Sequence, residues 1–191
     1  MTVQEVAAAI ETGGSAILPT DTVYGLVTTA FDAEAVRRMY ELKGRPPEQP
    51  SALMAASLEL LLETVPELHR RVAEALLPGA YTLILPNPAR RFPWLCGQTP
   101  EKIGVRVPVL GAEATAVLDR VRALASTSAN LRGGPDPRRL EDVPPELLAR
   151  CAALDGGELP GRPSTVVDFT GPEPVVLREG AGDVKRALQA A

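Results

Sequence analysis

Histidine and cysteine are nearly missing from this chain. Its 191 residues include one histidine, His69, and two cysteines, Cys96 and Cys151. One histidine excludes a multi-histidine metal centre, and any Ser-His-Asp triad would have to rest on it. Its setting, ELHRRVAEALL, reads as the surface of an amphipathic helix. The cysteines make neither a CxxC pair nor a zinc spacing, so they read as unpaired thiols of a reducing compartment. No apolar run approaches the roughly 18 residues of a membrane helix. The N-terminal MTVQEVAAAIETGG lacks the basic region and apolar stretch of a signal peptide. The expectation is therefore a soluble cytoplasmic protein. Lysine occurs only at Lys43, Lys102 and Lys185, and the remaining cations are arginines. With 20 Lys+Arg against 24 Asp+Glu the net charge is -4. That excludes a generally basic nucleic-acid coat but not a local basic pocket. No Walker loop, GxGxxG fingerprint or GxSxG elbow is present either.

What is present is enough apolar material for a sizeable core, 45% of residues. Length and composition predict one domain spanning 1–191. Thr2 and Glu5 form a capping-box pattern before a helix whose Val3, Val6, Ala7 and Ile10 share one face, stopped by Gly13-Gly14. Strands are expected at 15–18, 23–28 and 52–55, with a helix capped by Asp32 running to Lys43 between the last two. Ser57 would cap a helix over 58–65, and Pro66 would start another ending near Leu77. Strands follow at 81–85 and 103–107, a helix at 112–122 and a strand at 124–127. Three late strands, 152–154, 165–169 and 175–177, precede a helix capped by Asp183. The mixture predicts an α/β or α+β fold, one twisted mixed sheet flanked by helices.

Polar clusters fall where these strands end, which is where α/β proteins place their sites. Thr20, Asp21, Thr22 and Tyr24 follow the first strand, as ligand groups or as a turn bonded to its own backbone. Lys43 and Arg45 leave a helix C-terminus. They either complement its dipole or bind phosphate, Lys as a point charge and Arg as a fork. Arg106 lies inside the strand IGVRVP and either faces solvent or clamps a carboxylate. Ser126, Thr127, Ser128 and Asn130 offer donors and acceptors for phosphate or ribose. Ser164-Thr165 opens a late strand and Arg178 ends another. The Gly/Pro loop before Ser164 has the composition of a mobile lid. With no protein nucleophile beside any cluster, the chemistry that fits is one in which a substrate supplies the attacking atom, such as adenylyl transfer with Mg²⁺ on the triphosphate.

Taken in order, PTDTVYGL, KGRP, PGAYTLILP, IGVRVP, STSAN, STVVD and LREG resemble the Sua5/YrdC/TsaC family over roughly residues 15–180. The resemblance implies the YrdC/RibB-like fold around a concave, positively lined cavity, in its single-domain form. It implies an L-threonylcarbamoyl-adenylate synthase using L-threonine, bicarbonate or CO₂, and ATP with Mg²⁺. The product would feed tRNA threonylcarbamoylation beside the anticodon through a downstream transfer machinery. Carried over by position, Thr22, Arg106, Ser126 and Ser164 would bind threonine. Lys43 and Arg45 would hold the ATP phosphates and act catalytically, and Ser128, Asn130 and Arg178 would bind the nucleotide. No protein side chain would ligate the metal, and the chain is expected to be a monomer. Three positions depart from the family pattern: Gln49 for a common Asn, Met54 for a common His and Asp136 for a common Ser. Gln49 retains an amide, whereas Met54 and Asp136 keep open a nucleotide- or RNA-binding module without synthase activity and with weak RNA affinity; a carbamoyl-adenylate enzyme with another substrate is the third reading.

Overall fold

The computed structural model describes residues 1–190. Helix α1 (Val3–Glu11) starts as its capping box dictates. Thr2 Oγ1 accepts from Glu5 N at 3.3 Å, and Glu5 Oε2 accepts from Thr2 N at 2.7 Å. The remaining helices are α2 (Ala33–Lys43), α3 (Leu58–Thr64), α4 (Arg70–Leu76), α5 (Ala112–Val121), α6 (Pro145–Leu148) and α7 (Val184–Leu188). The strands are β1 (Ala16–Pro19), β2 (Tyr24–Thr29), β3 (Ala52–Ala55), β4 (Tyr81–Pro86), β5 (Lys102–Arg106), β6 (Ala123–Ser128), β7 (Ala152–Ala153), β8 (Thr165–Asp168) and β9 (Val175–Arg178).

Two expectations needed correction. The helix expected from Pro66 begins only at Arg70, because Leu68 N bonds back to Val65 O and buries the Leu68 side chain in a turn. His69 therefore stands at the helix entrance rather than along its surface. Helix α6, which opens on Pro144-Pro145, was not anticipated. Proline is nevertheless well tolerated in a first helical turn, whose N–H groups have no partner anyway.

All nine strands form one mixed sheet in the order β7-β1-β2-β6-β3-β5-β4-β8-β9. Strand pairs β1/β7, β3/β5 and β4/β8 are parallel and the other five are antiparallel. Because strand side chains alternate, each strand feeds two faces. Ile17, Leu26, Leu53, Leu83, Val105 and Val167 face a large core with Met39, Tyr40, Leu61, Val72 and Leu76 of α2, α3 and α4. On the other face Leu18, Val27, Met54 and Leu124 pack with Val6 and Ile10 of α1 and Val117 and Leu118 of α5.

The second face is covered only in part. Two residues along from Leu124 comes Ser126, two from Met54 comes Ala52, and two from Val27 comes Gly25. These three line an open cavity of about 510 Å³. The sheet face thus changes from core to site within single strands.

Candidate functional site

The cavity floor is narrow-residue backbone, Gly25, Ala52 and Gly104, and its rim carries hydroxyls and cations. Of the residues predicted from sequence, Thr22, Arg45, Arg106, Ser126, Ser128, Ser164 and Arg178 line it. Lys43 and Asn130 stand immediately behind its wall.

Arg106 closes one end. It is 8% exposed although it sits in a strand. Its Nη2 donates to Asp21 Oδ1 at 2.5 Å and approaches Thr22 Oγ1 at 3.5 Å, while its buried Nε has no partner. Burial pushes the Asp21 carboxyl up, and the Arg106 charge opposes that push. The turn that carries Asp21 and Thr22 is tied by Thr20. Its Oγ1 accepts from the Thr22 and Val23 amides and donates to Val23 O at 2.7 Å. That commits the only Thr20 hydroxyl proton, so in the 3.0 Å contact between the two hydroxyls Thr22 is the donor. Thr22 then turns its lone pairs toward Arg106.

The second group of cations is built by the end of α2. Gly44 takes the left-handed conformation at φ 67°, reversing the chain so that Lys43 and Arg45 leave in different directions. Lys43 Nζ donates to Asn130 Oδ1 at 2.6 Å and to Ser128 O. Asn130 in turn binds Ser128 Oγ and Gly134 O, which fixes the loop after β6. Burial lowers the Lys43 pKa to about 8, helped by Arg45 and opposed by Asp136. Arg45 donates to Gln49 O at 3.2 Å, to Thr127 Oγ1 at 3.2 Å and to Pro50 O. Its guanidinium lies 5.7 Å from the Tyr40 ring centroid.

A third cation, Arg178 on the edge strand β9, donates to Ser164 O at 3.0 Å and to Ser164 Oγ at 3.1 Å. Ser164 Oγ also contacts Thr82 Oγ1 at 2.8 Å. Thr82 and the pair Lys102–Asp168 (3.0 Å) line the cavity and were missed in the sequence. The signal was there: 102, 104 and 106 alternate onto one strand face, as do 82 and 84.

The three departures fall in different places. Gln49 contributes its backbone oxygen to Arg45. Met54 is fully buried among the α1/α5 core residues and does not line the cavity. Asp136 does line it. Cys96 and Cys151 are free thiols, and burial pushes both up to about 11. Among the described residues no three His, Cys, Asp or Glu gather in a metal-binding group, and no helix is long and apolar enough to cross a membrane.

Comparison with known proteins gives consistent results. The family model Sua5_yciO_yrdC, described as "Telomere recombination", matches residues 8–180. The threonylcarbamoyl-AMP synthase of Stenotrophomonas maltophilia is 36% identical over 168 residues, 84% of this chain and 89% of the relative. The threonylcarbamoyl-AMP synthase of Pyrococcus abyssi is 35% identical over 176 residues, 90% of this chain. This chain spans only about half of that relative's length, 52%. The crystal structure of P. abyssi Sua5 complexed with L-threonine superposes with a TM-score of 0.88 at 32% identity, over 98% of this chain and 56% of that one. On sequence and on structure alike, the chain belongs to the Sua5/YciO/YrdC family.

Proposed function

We propose that this protein makes L-threonylcarbamoyl-AMP from L-threonine, bicarbonate or CO₂, and Mg·ATP, releasing pyrophosphate. In this reading the product serves threonylcarbamoylation of the tRNA adenosine beside the anticodon, through transfer proteins acting downstream in the cytoplasm. The observation that carries the reading is Arg106, a largely buried guanidinium on the cavity wall whose hydrogen bonds, to Asp21 and Thr22, are all made by Nη2. A guanidinium there is a fork for a carboxylate, as the amino-acid substrate requires. Thr22 would help hold that guanidinium at the threonine end, and Ser126 and Ser164 would supply hydroxyls on the wall.

The other cations suit the second substrate. Lys43, Arg45 and Arg178 have no carboxylate within 4 Å among the described residues, so their charge is available to a triphosphate. Ser128 and Asn130 shape the loop against which the nucleotide would lie. Mg²⁺ enters on the triphosphate and is commonly held by one or two carboxylates plus phosphate oxygens. No protein side chain is expected among its ligands; Asp136, which lines the cavity near Lys43, would have its repulsion of the triphosphate offset by facing that ion.

The reaction asks for no protein nucleophile. The neutral amine of threonine attacks CO₂, a nitrogen–carbon bond forms, and the amine proton leaves to solvent. A carbamate oxygen then attacks the α-phosphorus, and the bond to the bridging oxygen of the β-phosphate breaks, so pyrophosphate leaves with the electron pair. Holding two anions close together and offsetting the charge that builds on pyrophosphate is work for fixed cations. The single-chain form is proposed to act as a monomer.

The test is mass spectrometry of the products made from ATP, Mg²⁺, bicarbonate and L-threonine, with serine and no-amino-acid controls. Threonine-dependent threonylcarbamoyl-AMP with equivalent pyrophosphate is expected. ATP binding without any adenylate would overturn the reading and leave a nucleotide-binding module.

A further inference from the structure

Arg106 has an unusual setting. It is an almost fully buried cation on a cavity wall, and its carboxylate partner stands outside the cavity. Asp21 does not line the pocket, yet its Oδ1 is 2.5 Å from Arg106 Nη2, and the two side chains are only 11% and 10% exposed. The second oxygen of Asp21 accepts from Val109 N at 3.4 Å, just past the end of the Arg106 strand. Asp21 therefore bridges the β1–β2 turn to the exit of β5, residues 85 positions apart in sequence.

A buried guanidinium without a counter-ion would be costly, so an empty cavity needs an anion near Arg106. Asp21 occupies only the Nη2 corner of the fork. Nε is sealed in the wall as a donor with no acceptor among the described residues, so the Nη2 bonds to Asp21 and Thr22 are what orient the guanidinium. The Thr20 hydroxyl locks the turn, which fixes where the Asp21 carboxylate can stand.

We propose that Asp21 is a positioning residue for the amino-acid substrate: it anchors Arg106 from outside the cavity through Nη2, keeps the cation paired when the site is empty, and so fixes how the rest of the guanidinium faces the substrate carboxylate. It touches no substrate and acts only through Arg106. The inference rests on the threonine reading given above, in that the incoming carboxylate belongs to an α-amino acid.

Two measurements on Asp21→Asn and Asp21→Ser, read beside thermal melts, test it. The first is calorimetric titration of L-threonine and of ATP into wild type, each variant, Arg106→Ala and the double variants. Loss of one charge-assisted bond that orients the fork is expected to weaken threonine about tenfold and to leave ATP affinity unchanged. In the double variants threonine binding should be no weaker than in Arg106→Ala alone. Losses that add, or an equal loss of ATP affinity, would overturn the proposal. The second measurement needs no ligand. The Arg106 Nε–H resonance should be sharp and slow to exchange in wild type and averaged in both variants. An equally immobile Nε–H in the variants overturns the positioning role. An anchored Arg106 in a wild type that fails to bind threonine would instead sink the threonine reading while leaving the anchor in place.

Discussion

The two cationic ends of the cavity are built on opposite principles. Arg106 comes with its own anion, Asp21, and both are buried. Among the described residues Lys43 and Arg45 bond to none: their partners are carbonyl, hydroxyl and amide oxygens, with Asp136 acting on Lys43 only at longer range. A neutralised pair changes little in net charge when a ligand arrives, so it selects by geometry, one carboxylate in one orientation. A pair of unneutralised cations keeps its field and suits a polyanion whose charge exceeds that of any side chain. In the proposed function, one protein wall would thus offer a clamp for a monoanion and a field for a triphosphate.

The sharpest break of this comparison is Arg106→Ala. It removes the fork and leaves Asp21 buried without its partner. Cutting one member of a buried charge pair typically costs about 3–5 kcal/mol of stability, and a comparable loss of ligand binding is expected. Thermal unfolding should fall and threonine affinity should drop by about a hundredfold or more, while ATP still binds. Arg45→Ala should do the reverse. It removes a guanidinium that hydrogen-bonds three oxygens of the phosphate-side wall, and losing a charged hydrogen bond is worth about 1.5–3 kcal/mol. ATP affinity should drop about tenfold or more, and its salt dependence should flatten, with threonine affinity unchanged. Equal losses of both ligands in both variants would erase the distinction between the ends.

A gentler test uses protons. Burial sets Lys43 at about 8 in the free protein. A bound triphosphate favours the charged form and raises that value. Between the free and bound values the complex holds more protons than the free protein, so ATP binding weakens as pH rises through about 8 and takes up a fraction of a proton there. Calorimetry in buffers of different ionisation enthalpy reads the uptake directly. Arg45 stays charged across this range, so Lys43→Arg should abolish the uptake.

Much of this was legible in the sequence, for reasons that differ by residue. The helix over 3–11 announced itself through Thr2 and Glu5, which act within one turn. Lys43-Gly-Arg45 was legible because a glycine after a helix predicts the reversal that separates the two cations. Arg106 was visible as a charge in a strand. What it faces was not, because its partner lies on another turn and only the β1–β2 hairpin and the β5 exit, brought together by the sheet, make the pair. The strand order was equally hidden: β6 enters between β2 and β3 although it follows both in sequence by many residues. The cavity itself depends on α1 and α5 covering only part of a sheet face, a packing fact with no local signature. Met54 shows the same limit. Its departure from the family pattern suggested a changed substrate contact, whereas its side chain is packed in the core under those helices.

Arg178 decides how far the comparison extends, and Ser164→Ala is the small perturbation that reads it. Like Lys43 and Arg45, Arg178 has only oxygen acceptors without charge, namely Ser164 O and Oγ. By that criterion it belongs to the polyanion end, although its charge also reaches Arg106, whose pKa burial lowers and Arg178 lowers further. Alanine at 164 deletes the Oγ bonds to Arg178 and Thr82 but keeps the carbonyl that accepts from Arg178 Nε. Arg178 should loosen rather than leave, at a cost of about 1 kcal/mol. If Arg178 serves the nucleotide, ATP affinity falls several-fold, on the order of that energy, and threonine binding measured without ATP loses only the direct Ser164 contact. If threonine binding falls by more than ATP binding, Arg178 is a second cation of the carboxylate clamp, and the paired and unpaired ends meet at Ser164 instead of lying apart.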